Sequence, residues 1–323
     1  MVHMREPRRA AGDAGTCAVV IEFHGVGKRY TSLWGKQVRA VRDFTLRIEA
    51  GEVLGIAGPN GAGKSTLLNL LLGYLNPTEG EVRISGLKPR TYVERRGIGY
   101  LSELISIPPG WTTVGALRRY ATLAGVPGNA LNGRVDAVID MLGLHEHRAK
   151  HVKALSKGNL QRLGLGQALL REDVEVLVLD EPTHGLDPVW TQRFRDLVQE
   201  QRRPNRAILL ASHNLDELAR VADRVAIIDG GRLQRVVDLR GETAVATGAV
   251  RYRLLVAGEH DGVLAHFPGA VDAGRGELEV TADSLDALNT QVAGAIRAGA
   301  RFTSITPAHS ALEQQFREAV KNS

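Results

Sequence analysis

The chain has 323 residues, too many for one small domain and enough for a large core with an appendage. A hydrophobic fraction of 43% and a charged fraction of 24% are ordinary globular values, which argues against a disordered, fibrous or membrane-embedded chain. The formal charge of +5 is a modest arginine excess spread along the sequence, so no nucleic-acid partner is expected, and the single cysteine, Cys17, cannot form an internal disulfide.

Residues 1–17 carry Arg5, Arg8 and Arg9 but no continuous apolar stretch, so a disordered tail is expected there rather than a signal peptide. From 18 to 238, short β-branched runs alternate with helical patterns, the mark of an α/β domain on a mainly parallel sheet. The predicted strands are 18–23, 38–48, 52–56, 81–84, 175–180, 207–211 and 224–228. Between 112 and 170 the strand signal vanishes. Leu117, Tyr120, Ala121 and Ala124, then Val135, Val138, Ile139 and Leu142, repeat at helical spacing and predict a helical subdomain over about 104–172.

Beyond 238 glycines punctuate the sequence, and a small α+β accessory domain is expected over 239–323, with a boundary near 239–248. Its predicted strands are 250–256, 277–280 and 302–305, its helices 285–296 and 311–320. No run approaches the roughly 20 apolar residues of a membrane-crossing helix.

Gly58-Pro59-Asn60-Gly61-Ala62-Gly63-Lys64-Ser65 satisfies the phosphate-loop pattern and lies between a predicted strand and a predicted helix. Glycines let the backbone wrap a polyphosphate with its N–H groups inward, and the helix N-terminus adds a positive dipole end. Lys64 supplies a charge for the β- and γ-phosphates, and the Ser65 hydroxyl a ligand for Mg²⁺, with Thr66 a second hydroxyl nearby. The apolar run before Asp180-Glu181-Pro182 puts two carboxylates at the carboxyl edge of the sheet, where ligands bind. Asp180 suits Mg²⁺ and Glu181 suits a general base that polarises the attacking water.

Leu155-Ser156-Lys157-Gly158-Asn159-Leu160-Gln161-Arg162 resembles the signature sequence of ABC transporter ATP-binding subunits, in a form with Lys in place of the first Gly. Thr183-His184-Gly185-Leu186-Asp187 matches the family's loop after the acidic strand, and Ala211-Ser212-His213 its switch histidine. The resemblance covers 21–237 and implies a P-loop NTPase of ABC type: a mainly parallel core sheet, an antiparallel β subdomain and a helical subdomain. It further implies ATP and Mg²⁺ as ligands, with ATP sandwiched between two chains. Ser156 and Gly158 would touch the γ-phosphate held by the opposite subunit, and His213 the γ-phosphate and catalytic water. Tyr30 would stack on adenine, and Asp187 counts among the nucleotide-binding positions.

Three positions depart from the family pattern. Glu103 stands where a Mg²⁺-sensing Gln is usual, and a carboxylate there still serves as a metal ligand but adds negative charge beside Asp180. Lys157 either puts a cation near the opposing γ-phosphate or points into water. His184 replaces a small residue and suggests a role between subunits. His145, His147 and His151 invite a metal reading, but Arg148, Lys150 and Lys153 surround them with positive charge, so polar surface is expected.

The resemblance implies a separate transmembrane permease, a second ATP-binding copy, and a place at the cytoplasmic face of the plasma membrane. Contact with the permease is expected at the Glu103 loop and helical subdomain, with Trp111 and Tyr120 as contact aromatics. Export is expected over import from the Lys157 form of the signature and from Ser310-Ala311-Leu312-Glu313-Gln314-Gln315-Phe316, which looks like the closing Leu-Glu-x-x-Phe helix of an exporter subfamily. The alternative is a soluble ABC ATPase acting on ribosomes or DNA.

Overall fold

The computed structural model describes residues 19–31, 35, 37–240, 250–257, 262–274, 276–307 and 311–321. The expected tail with Cys17, strand residue Ala18, most of the expected boundary beyond Arg240, and Ser310 lie outside the described residues.

The first elements are β1 (Val19–Thr31), β2 (Gln37–Glu49), β3 (Val53–Ala57), α1 (Lys64–Leu71), β4 (Glu79–Ile84), α2 (Pro89–Arg96) and β5 (Gly99–Leu101). Three helices follow, α3 (Thr113–Leu123), α4 (Leu131–Met141) and α5 (Lys157–Leu169). The chain then runs through β6 (Val176–Asp180), α6 (Pro188–Gln201), β7 (Ala207–Ala211), α7 (Leu215–Val221), β8 (Arg224–Asp229) and β9 (Arg232–Asp238). Last come β10 (Val250–Val256), β11 (Val271–Gly274), β12 (Glu277–Ala282), α8 (Leu285–Arg297), β13 (Phe302–Pro307) and α9 (Ala311–Lys321).

The central sheet has the order β5-β6-β7-β3-β8-β9, parallel throughout except for the β8–β9 pair. Strands β3, β6 and β7 are buried at every position, as a sheet covered on both faces requires. Their alternate residues feed two cores. Leu177, Leu179, Ile208, Leu210, Val225 and Ile227 face a cluster shared with α3, α4, α5 and α6. Leu54, Ile56, Val176, Val178, Leu209 and Ile228 face α1 and the antiparallel sheet β2-β1-β4, where Phe23 and Phe44 meet edge to face at 5.3 Å.

The register decides where the site forms. Ile56 pairs with Ala211 and Ala211 with Asp180, so the loops after β3, β7 and β6 leave the sheet side by side at one edge.

Several elements differ from the expectations. β5, β9, β11 and α2 carry no strong periodic signal: β5 is three residues long, and β9 is an edge strand with a mostly polar sequence. β1 runs on past Phe23 to Thr31 because it pairs with both β2 and β4 through bulges. The histidine segment is not one helix. It forms 3₁₀ turns at His145–His147 and Val152–Ala154, with His151 Nδ1 2.9 Å from the Gly110 carbonyl and His145 2.8 Å from Asp140. Among the described residues no group of three or more His, Cys, Asp or Glu side chains is placed to hold a metal ion.

The last part of the chain forms a four-stranded antiparallel sheet, β11-β12-β10-β13, with its own core of Leu254, Phe267, Leu278, Val280, Leu288 and Ala295. Helix α9 was expected within this accessory domain, yet it packs on α7, β8 and β9 of the preceding one. Leu312 and Ala319 are buried in the core that also holds Leu218 and Val237, and Arg235 faces Glu318 at 3.6 Å. The amphipathic pattern announced an apolar face, and the exposed flank of the β8–β9 edge supplied the surface that covers it. Leu312→Ala should therefore destabilise the β3–β9 core itself, by about 2–5 kcal/mol. Denaturant unfolding followed by far-UV circular dichroism checks this; an unchanged midpoint would separate α9 from that core.

Candidate active site

The loop between β3 and α1 turns tightly because side chains have no room in it. A Cβ on Gly58 would lie 2.4 Å from the Ile228 carbonyl oxygen, and one on Gly63, at φ 107°, would lie 2.5 Å from the Ala40 carbonyl oxygen. No side chain caps the N-terminus of α1, which leaves its first-turn N–H groups for a ligand. The Lys64 ammonium donates to the carbonyl oxygens of Gly58, at 2.6 Å, and Pro59, at 3.2 Å, so it arches back over its own loop.

A cavity of about 590 Å³ opens on this loop, lined by Asn60, Gly61, Ala62, Gly63, Lys64, Ser65 and Thr66 on one side. Glu103, Asp180, Glu181, His184 and His213 line the rest, with Ala40 of β2. The loop thus shares one cavity with the acidic pair and the histidine, both more than a hundred residues away from it in sequence.

Glu181 is held firmly in the cavity wall. Its backbone sits at φ 47°, a left-handed conformation costly for a residue with a side chain. Its N–H donates to the Ala211 carbonyl at 2.8 Å, and its carbonyl accepts from Gln161 Nε2 at 3.1 Å. The carboxylate accepts from the His213 N–H at 2.9 Å and from Ser212 Oγ at 3.2 Å, and His213 Nδ1 lies 2.9 Å from Oε2. Only 8% of Glu181 is exposed.

Asp180 sits deeper, 6% exposed. Burial first, then the charges of Glu103 and Glu181, push its carboxyl up to about 7, and Lys64 only partly offsets them.

Not every expected residue reaches the cavity. Ser156 caps α5, accepting from the Asn159 N–H at 3.2 Å, and with Lys157 and Gly158 is absent from the lining of its own chain's cavity. Lys157 is exposed but does not stand alone: its Nζ lies 2.9 Å from His184 Nε2. The Asp187 carboxylate caps α6 by accepting from the Trp190 N–H at 2.9 Å. Tyr30, 40% exposed at the end of β1, lies outside the lining, with Lys28 Nζ 5.6 Å from its ring centre. Sequence reasoning gave no role to Ala40, Gln161 or Ser212. Ser212 is placed by the register of β6 and β7, Gln161 by the packing of α5 on the loop after β6, and Ala40 by the approach of β2 to Gly63.

Residues 41–184 match the profile of the family described as ABC transporter. YdbJ of Bacillus subtilis, an uncharacterised ABC transporter ATP-binding protein, is 33% identical over 72% of this chain and 73% of its own length. The chain belongs to the ABC transporter ATP-binding family. MetN 2 of Paraburkholderia xenovorans, named as a methionine import ATP-binding protein, is 34% identical over 65% of this chain. The chain spans 61% and 56% of the length of two of the curated relatives it matches. The dimeric structure of MJ0796, a bacterial ABC transporter cassette, superposes with a TM-score of 0.63 at 25% identity, over 68% of this chain and 99% of that one.

The ABC cassette binds and hydrolyses ATP and uses Mg²⁺, and the residues present fit both. Ser65, Asp180 and Glu103 form an all-oxygen set that suits a small hard dication, and the crowding that raises Asp180 is relieved by positive charge. The glycines of the loop, Gly61 and Gly63, leave room for phosphate oxygens beside Lys64.

The same crowding has a signature without any ligand. Unfolding returns Asp180 to an ordinary value of 3.8, so its contribution to stability falls as pH rises from there to about 7 and is level above. Asp180→Asn removes the cost of the ionised form. Calorimetry without nucleotide or Mg²⁺ should give a larger gain in melting temperature at pH 8 than at pH 5; equal gains would mean that Asp180 ionises freely in the fold.

Proposed function

We propose that this chain is the ATP-hydrolysing motor of a transporter: two copies close on two ATP molecules, reopen after hydrolysis, and move a separate transmembrane permease. The observation that carries the chemistry is the gathering of Lys64, Ser65, Asp180, Glu181 and His213 around one cavity. Residues 18–238 form the nucleotide-binding domain in this reading, and 239–323 an accessory domain whose last helix returns to it.

Lys64 gives up the carbonyls of Gly58 and Pro59 to the β- and γ-phosphates, while Gly61 to Thr66 bring backbone N–H groups around them. Ser65, Asp180 and Glu103 would hold Mg²⁺, which neutralises phosphate charge when bound. Glu181 accepts the proton of the attacking water, and His213, touching the same carboxylate, fixes its direction and faces the γ-phosphate. Tyr30 offers its exposed ring to the adenine, and Asp187 shapes the loop that lies between the two copies. Ser156 and Gly158 stand clear of their own cavity, an arrangement that supports their use by the nucleotide of a second copy.

Permease contact falls on a groove of about 330 Å³ beside Glu103, lined by Tyr74, Tyr100, Leu104, Ile105 and Tyr120. Leu104 is 82% exposed there, and Trp111 braces Tyr120 edge to face at 6.0 Å. Such an exposed apolar group favours a partner. Since no helix among the described residues is long and apolar enough to cross a membrane, the motor would hold its place at the inner face through that partner. Export is favoured by the Lys157 form of the signature and by the Leu312–Phe316 motif, although MetN 2 is named for import.

Glu181→Gln in the complex purified from its native membrane should lower kcat by about 10²–10⁴-fold while ATP binding persists. Wild-type turnover in that variant would displace Glu181 as the base. A complex lacking any multi-span protein would sink the transport reading.

A further inference from the structure

Two residues that depart from the family pattern turn out to be partners. Lys157 opens α5, the helix that starts at Ser156, and His184 lines the nucleotide cavity; their nitrogens are 2.9 Å apart. With Lys157 cationic, His184 Nε2 accepts, which puts the ring proton on Nδ1. The stem of Lys157 also lies across the loop. A Cβ on Gly185 would meet its Cγ and Cδ at 2.9 Å, and one on Gly158 would come within 3.1 Å of the Gly185 carbonyl oxygen.

The face of α5 makes a second attachment to the same loop. Gln161, four residues after Lys157 and so on the same side of the helix, donates to the carbonyl oxygens of Glu181 at 3.1 Å and Pro182 at 3.0 Å. Between these attachments, the His184 N–H closes a turn onto the Glu181 carbonyl at 3.1 Å. The Gln161 anchor is buried and fixed, whereas Lys157 and His184 are exposed. One end of the loop is thus clamped to the helix, and the other is held by a contact that a ligand in the cavity can reach.

We propose that Lys157 and His184 are a positioning pair that makes the occupancy of one nucleotide cavity set the placement of Ser156–Gly158, the segment offered to the nucleotide of a second copy. The inference rests on the two-copy reading above. A phosphate entering the cavity meets His184 as well as Lys64, and any displacement of the imidazole passes to the first turn of α5 through the 2.9 Å contact. The two ATP sites are then linked in both directions, as coupling between sites must be.

The test uses the full chain carrying Glu181→Gln, with ATP-driven dimerisation followed by sedimentation and cooperativity read as the Hill coefficient of ATPase in the Glu181 form. His184→Ala and Lys157→Ala are each expected to raise the ATP needed for half-dimerisation about fivefold and to lower the Hill coefficient towards 1. The double variant is expected to match the single ones, the mark of a shared contact. His184→Gln, whose carbonyl oxygen can accept from Lys157, is expected to retain most of the parent's behaviour, and melting temperatures are expected to stay together. Multiplying effects in the double variant, or parent-like cooperativity in the alanine variants, would overturn the pair. A Glu181→Gln parent that stays monomeric with ATP would overturn the two-copy reading and the inference with it.

Discussion

Glu181 occupies a left-handed backbone conformation that costs a residue with a side chain about 1–3 kcal/mol, and the rest of the site is arranged to hold it there. The end of β7 supplies the Ala211 carbonyl, the Ser212 hydroxyl and the His213 N–H, while α5 supplies the Gln161 amide. None of these groups is near Glu181 in sequence. They meet because three parallel strands, buried on both faces, fix the register that puts their carboxyl ends in line. The strained turn aims the carboxylate across the edge of the sheet, whereas an extended residue would continue the strand direction away from the phosphate loop.

The same edge carries an electrostatic cost. Burial leaves Asp180 with little water, and Glu103 and Glu181 add further negative charge, so its carboxyl is pushed up to about 7. A site that is awkward without its ligands gains more when positive charge arrives. Burial of the large two-sided core offsets that local cost.

Much of this was legible in the sequence, for reasons that also define what was not. The loop from Gly58 to Ser65 and the pair Asp180-Glu181 are local patterns whose chemistry depends on spacing, and flanking apolar runs placed them on strand ends. Ala40, Gln161 and Ser212 gave no comparable signal, because each acts through a neighbour distant in the chain. Lys157 and His184 were visible singly as departures, but 27 residues separate them and only the packing of α5 on the loop makes them a pair. Helix α9 was placed correctly as an element and on the wrong core, since an amphipathic stripe specifies an apolar face without specifying what covers it.

Helix α5 joins these threads. Leu163, Leu165 and Leu169 belong to the core under the central sheet, so the body of the helix is tied to β5. Beside Gln161, the Arg162 guanidinium stacks on Trp190 of α6 at 4.0 Å and donates to the Leu142 carbonyl, which fixes the start of α6 to α4 and α5. The loop from Glu181 to Asp187 therefore begins at one point pinned by Gln161 and ends at another pinned through Asp187 and Trp190. Only its middle, His184 and Gly185, is left to respond to what fills the cavity. The stem of Lys157 crosses that middle, so any such response must move the one side chain that leads back to the signature segment.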